Sequence, residues 1–173
     1  HRMKIYIYDS RTISHGEAVM VLEASKLLNQ GATMPEIITQ ITALRQKMTI
    51  YMTVDNLKTM IRTKRISAPA GFFANLFDIK PIVYLNDSGR IVPFEKVRSF
   101  DKCILRLAEI VVDEVKGKKG QMYLMSGQLN PYIKPLTMHL AQRGYADLPV
   151  MPIASVSLAN IGVFALVVIF IED

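Results

Sequence analysis

Residues 65–98 read RISAPAGFFANLFDIKPIVYLNDSGRIVPFEKVR, and the fold follows from how this stretch is divided. Arg65 leads into a turn of small residues, Ser67 to Gly71, and an aromatic-rich apolar segment follows with Phe72, Phe73, Leu76 and Phe77. Ile79 to Leu85 alternates as a strand, Asn86-Asp87-Ser88-Gly89 is a tight turn, and a second strand runs on to Arg98. Two arginines therefore bracket a greasy loop carried by a hairpin. That pattern suits an amphiphile, with the loop lining an apolar tail and basic residues facing an anionic end. No nucleophile or general base is interleaved with it.

Outward from the hairpin, helices and strands intermingle without a strict βαβ repeat. Ile5 to Tyr8 reads as a short strand ending at Asp9-Ser10, and Ser14 is placed to cap a helix from about Gly16 to Asn29. Thr33-Met34-Pro35-Glu36 is a capping box with proline in the first turn, opening a helix with Ile37, Ile38, Ile41 and Leu44 inward. Met48 to Thr53 alternates as a strand, and Val54 to Thr63 carries the apolar spacing of a helix. Beyond the hairpin, Phe100 to Val115 is amphipathic, Gln121 to Met125 is a strand, and Asn130 to Gln142 is a helix ended by Gly144. The pattern predicts an α/β (α+β) protein, a mixed β-sheet with packed helices.

The C-terminal run Ile153 to Ile171 has 19 residues, near the length of a membrane-spanning helix. Ser155, Ser157 and Asn160 interrupt it, and Val167-Val168-Ile169-Phe170 is strongly strand-forming, so two buried strands around a turn are expected. The start, His-Arg-Met-Lys, carries no apolar signal core, and His1 in place of methionine points to a processed or trimmed start.

Composition narrows the function. Half of the 173 residues are apolar and 21% are charged, enough for a core and too apolar for bulk disorder. The net charge of +6 admits nucleic acid, an anionic membrane surface or an acidic partner. The basic residues are scattered and lack aromatics placed for stacking on bases, which argues against nucleic acid. The single Cys103 excludes an intrachain disulfide, and its register with Leu107 and Ile110 predicts a buried thiol. His1, His15 and His139 have no second histidine at ligand spacing, and neither nucleotide-binding glycine loop occurs. No catalytic residues are assigned, no metal and no cofactor are expected, and the chain is read as a binding module instead of an enzyme.

In order along the chain, Asp9-Ser10, Val21-Leu22-Glu23-Ala24, Val54-Asp55-Asn56-Leu57, Arg65-Ile66-Ser67, Ile79-Lys80-Pro81-Ile82 and Lys96-Val97-Arg98 resemble the motifs of the DegV family. These are fatty-acid-binding proteins that serve bacterial fatty acid kinases. The resemblance implies a DegV-like C-terminal domain over residues 49–173, preceded over 1–48 by the C-terminal part of a first α/β domain (a strand and two helices). It also implies a cytoplasmic bacterial protein that holds a long-chain fatty acid and presents its carboxyl end to a kinase partner, with room for transient contact with a membrane surface.

By the same resemblance, Arg65 and Arg98 stand at the docking face, and Arg65, Phe72, Phe73, Leu76 and Ile79 contribute to ligand binding. Alignment on Ala165-Leu166 puts Asn160 where the family carries a head-group histidine and Gly162 at its first glycine. Val163 and Phe164 replace the proline and second glycine, and Thr63-Lys64 replaces the paired glycines before the arginine. The alternative these departures favour is a diverged regulatory or interaction subunit that no longer binds lipid.

Overall fold

The computed structural model describes residues 4–54, 57–66, 79–127 and 129–173. Its elements run α1 (Ser14–Asn29), α2 (Met34–Gln46), β1 (Met48–Thr53), α3 (Lys58–Arg62), β2 (Lys80–Leu85), β3 (Ile91–Val97), α4 (Phe100–Glu114), β4 (Gly120–Ser126), α5 (Ile133–Ala141), β5 (Val150–Pro152), α6 (Ser155–Ile161) and β6 (Leu166–Glu172). The strands form one six-stranded sheet in the order β3-β2-β1-β6-β4-β5. Every pairing is antiparallel except β4 with β5, which are joined through α5 as a parallel pair. The expected mixed sheet with packed helices is what forms.

Both faces of this sheet are apolar, and the chain alternates between them residue by residue. Leu166, Val168 and Phe170 of β6 join Tyr51, Ile82, Met122 and Leu124 under α4 and α5. Val167 and Ile169 join Ile50, Met52, Val83, Leu85 and Ile91 on the opposite face, with Met20 of α1, Ile37 and Ile41 of α2, Met60 of α3 and Ile161 of α6. Burying each such side chain contributes about 1.5–3 kcal/mol, which makes the central β1–β6–β4 strands the stable part of the molecule.

The helices follow their sequence signals to different degrees. At α2 the Thr33 side chain accepts from the Glu36 N–H and the Glu36 carboxylate from the Thr33 N–H, the reciprocal pair of a capping box. The carboxylate accepts from that Thr33 N–H at 2.7 Å and also from the Thr33 hydroxyl. At α4 the Ser99 hydroxyl accepts from the Lys102 N–H at 3.3 Å. At α1, Ser14 does not cap. It is the first helical residue, with φ of 57°, and Ile13 occupies the N-cap without a side-chain bond.

Three other expectations need correction. Ile5 to Tyr8 takes no part in the sheet, and Ile5 and Ile7 are 80% and 95% exposed. The helix expected over Val54 to Thr63 is the shorter α3. A helix, α6, stands where the penultimate strand was expected, because Leu158 and Ile161 three positions apart dock on the sheet and tertiary packing overrides weak helix propensity. Among the described residues no helix is long and apolar enough to cross a membrane.

The hairpin is irregular where it meets solvent. Its register shifts between Ile82 and Val83, so that Glu95 and Pro93 oppose them and Phe94 is the extra residue of a bulge. β3 is an edge strand and is bulged here, a setting that accepts Pro93 without losing a ladder bond to a further strand.

Cys103 lies fully buried on α4, its Sγ 2.9 Å from the Thr53 hydroxyl, which donates to the Pro81 carbonyl at 2.9 Å. Burial pushes the thiol up to about 11, so at pH 8 almost none of it is thiolate. Native protein incubated with iodoacetamide at pH 8 should remain unmodified over hours, and should label stoichiometrically once urea unfolds it. Rapid labelling without denaturant, read by intact mass, contradicts this placement.

Candidate functional site

On the sheet face that carries Ile50, Met52, Leu85, Ile91, Val167 and Ile169, the covering helices leave an incomplete roof. Ser157 and Ile161 of α6, Ile153, and the segment Thr12 to Ser14 close over it, leaving a narrow apolar slot of about 30 Å³. That is about the volume of one water molecule in the liquid. The slot shares Ile13, Leu85, Ile91, Ser157 and Ile161 with a larger outer cavity of about 510 Å³. Lys64, Arg65, Arg90 and Asn160 stand on the wall of this outer cavity, and among the described residues no acidic one lines it. Among the described residues none of the three cations is held in an ion pair.

Local backbone geometry places these cations. After α3 the Lys64 N–H donates to the Ile61 carbonyl at 3.1 Å and the Arg65 N–H to the Met60 carbonyl at 2.8 Å. This pair of bonds is a Schellman stop, which puts the intervening residue in the left-handed region. Lys64 occupies that position with φ of 54°. The backbone turn that suits glycine is thus formed by a lysine, which adds a third cation to the cavity.

A parallel bridge between Ile66 and Ile91 then brings Arg65 beside Arg90. Arg90 is set by the hairpin turn, where the Gly89 N–H donates to the Asn86 carbonyl and the Asn86 side chain accepts from the Ser88 and Arg90 N–H groups. Three cations around one opening favour a carboxylate or phosphate, with guanidinium pairing planar anions through two bonds.

The residues expected from sequence divide between the two ends of the hairpin. Arg65 and Asn160 meet at the cavity. Asn160 is turned toward its own helix, donating from Nδ2 to the Val156 carbonyl at 2.8 Å. The Gly162 N–H donates to the Leu158 carbonyl at 2.8 Å, so neither donor of this loop faces an anion. Phe164 packs edge-on against Tyr132 and does not line the cavity.

Arg98 follows β3 at its far end, separated from Arg90 by the seven residues of the strand, roughly 26 Å at about 3.3 Å per step. The pairing of Lys80 with Val97 puts half-buried Ile79 at that same far end. The expected lining residues Phe72, Phe73 and Leu76 lie outside the described residues. Lys64, Arg90, Ile13 and Ser157 were not singled out in the sequence, because a turn lysine and a turn arginine look like ordinary surface charge.

His15 stacks on Tyr123 with ring centroids 4.5 Å apart, and burial lowers its pKa. It does not line the cavity. Among the described residues no cluster of histidine, cysteine and carboxylates has the makings of a metal site.

A mixed sheet covered by helices on both faces, with an apolar slot beside a cation-lined cavity, defines the architecture of this α/β class. The DegV family model, described as an uncharacterised protein family, matches residues 1–173, and the chain belongs to that family. A DegV domain-containing protein of Clostridium acetobutylicum is 35% identical over 126 residues, covering 73% of this chain and 45% of the relative. The fatty acid binding DegV family protein of Streptococcus agalactiae superposes over 99% of this chain and 61% of its own, with a TM-score of 0.86 and 24% identity. A DegV family protein of Eubacterium eligens loaded with heptadecanoic acid superposes over 98% of this chain and 62% of its own, with a TM-score of 0.77 and 16% identity. The chain thus spans under half the length of the Clostridium relative and about three fifths of the two solved structures.

A left-handed backbone costs a residue with a side chain about 1 kcal/mol relative to glycine. Lys64→Gly should therefore raise the thermal midpoint by about 2–4 °C, measured by calorimetry. An unchanged or lower midpoint would show that the lysine side chain stabilises the turn by other contacts.

Proposed function

We propose that this chain is the C-terminal part of a fatty-acid-binding protein, with the acyl tail in the apolar slot and the carboxylate among Lys64, Arg65 and Arg90. The observation that carries this reading is that the two spaces adjoin: Ile13, Leu85, Ile91, Ser157 and Ile161 line both. Its relatives described as binding or holding fatty acids share the fold.

Magnitudes support it. Burying about ten methylenes yields roughly 8 kcal/mol, while association costs at least about 4 kcal/mol. Each charge-assisted bond to the carboxylate adds about 1.5–3 kcal/mol. At about 30 Å³ the slot cannot take a chain as it stands. Entry therefore requires α6, only seven residues long, or the Thr12–Ser14 segment to move outward.

The same reading makes the protein a cytoplasmic carrier that presents its carboxyl end to a kinase, with the chemistry residing in that partner. The face around Arg65 is proposed to dock the kinase beside the exposed head group, and Arg98 to supply a second, separate contact. Residues 1–48 are proposed to complete a first α/β domain, whose strands would pair with the segment Ile5 to Tyr8, of which Ile5 to Ile7 are solvent-exposed. The second reading, a regulatory subunit that has lost its lipid, is favoured by the closed slot and by the internally bonded donors of Asn160 and Gly162.

Native mass spectrometry of the intact protein separates the two. A co-purified or added C14–C18 acid should appear as a one-to-one complex, and Arg65→Gln or Arg90→Gln should each weaken oleate about tenfold to a hundredfold. A clean apo mass in excess oleate selects the regulatory reading. With the kinase and ATP present, Arg98→Glu should abolish acyl-phosphate formation while sparing oleate uptake, and loss of both or of neither removes Arg98 from the docking face.

A further inference from the structure

We propose that Arg45 is a positioning residue for the cavity mouth, holding the hairpin turn that carries Arg90 against the segment that carries Ile13. The proposal rests on the fatty-acid reading above and extends it to a residue that touches no ligand. Arg45 completes the inward stripe of α2 after Ile37 and Ile41, and it is only 4% exposed. Its Nε donates to the Arg11 carbonyl at 2.9 Å and its Nη2 to the Asn86 carbonyl at 2.8 Å. One guanidinium thus joins two segments that are distant in sequence and adjacent in space.

Both segments end in cavity residues. Two positions beyond Arg11 stands Ile13, and the turn opened by Asn86 delivers Gly89 and Arg90. The fit between them is close: a Cβ added to Gly89 would meet the Arg11 Cα at 2.8 Å, and Gly89 itself has φ of 72°. Arg11 and Ser14 also hold positive φ, 51° and 57°, so this segment is strained and needs an external hold.

A planar fork with donors on separate nitrogens spans two carbonyls at once, which a lysine ammonium on a flexible stem does poorly. Burial lowers the pKa of Arg45 while nearby Asp87 raises it, and a guanidinium keeps its charge in such a setting. Without this bridge the two carbonyls lose their buried partner and the turn loses its reference point.

The test uses Arg45→Lys and Arg45→Met in the intact protein, with two readouts. Amide hydrogen exchange should accelerate about tenfold or more at Gly89 and Arg90 and stay unchanged at Val168 in the sheet centre. Equal acceleration at all three, or none at Gly89 and Arg90, overturns the positioning role. In a double-mutant cycle, Arg45→Lys should weaken oleate about threefold to tenfold when Arg90 is present, and scarcely at all in the Arg90→Gln background. Equal losses in both backgrounds also overturn it. Should the wild-type protein bind no fatty acid, the ligand reading fails alone, and the exchange pattern still decides whether Arg45 positions the turn.

Discussion

The controlling constraint is a sheet with no polar face. Because β1, β4 and β6 present apolar side chains on both sides, each of the described helices serves as cover. One side is closed well by α4 and α5, whose Ile104, Leu107, Leu136 and Leu140 are fully buried. The other side is covered piecemeal by α1, α2, α3 and the short α6. The slot lies in the gap between these pieces, so the site is a by-product of how the second face is roofed.

Charge is arranged around this gap by backbone devices instead of by ion pairs. A helix stop, a hairpin turn and a single parallel bridge bring Lys64, Arg65 and Arg90 together. The stop and the turn are local and the bridge is long-range, and together they hold like charges at one opening with no ion pair among the described residues. Mutual repulsion among them is tolerable because all three side chains stand at an exposed rim.

Local signals were legible in the sequence, and assembled ones were not. The capping box at Thr33 to Glu36, the hairpin turn at Asn86 to Gly89 and the apolar register of Cys103 with Leu107 could each be read from a few neighbouring residues. The strand-forming run Val167-Val168-Ile169-Phe170 that lies in β6 was equally plain. α6 was missed because Val156 and Ile161 favour strand locally, while packing of Leu158 and Ile161 decides otherwise. Arg65 was found, but its pairing with Arg90 depends on a bridge spanning 25 positions, from Ile66 to Ile91. Arg45 was passed over because one arginine in an apolar stripe looks like a boundary residue until its two carbonyl partners are seen.

The bulged edge of the hairpin has a further consequence. Pro93 removes a donor, Phe94 throws the strand out of register, and Glu95 and Lys96 set charge along the same margin. At the opposite margin β5 is only three residues long. Neither side of the sheet is a good template for another chain to extend. That keeps a strongly apolar framework from polymerising edge to edge.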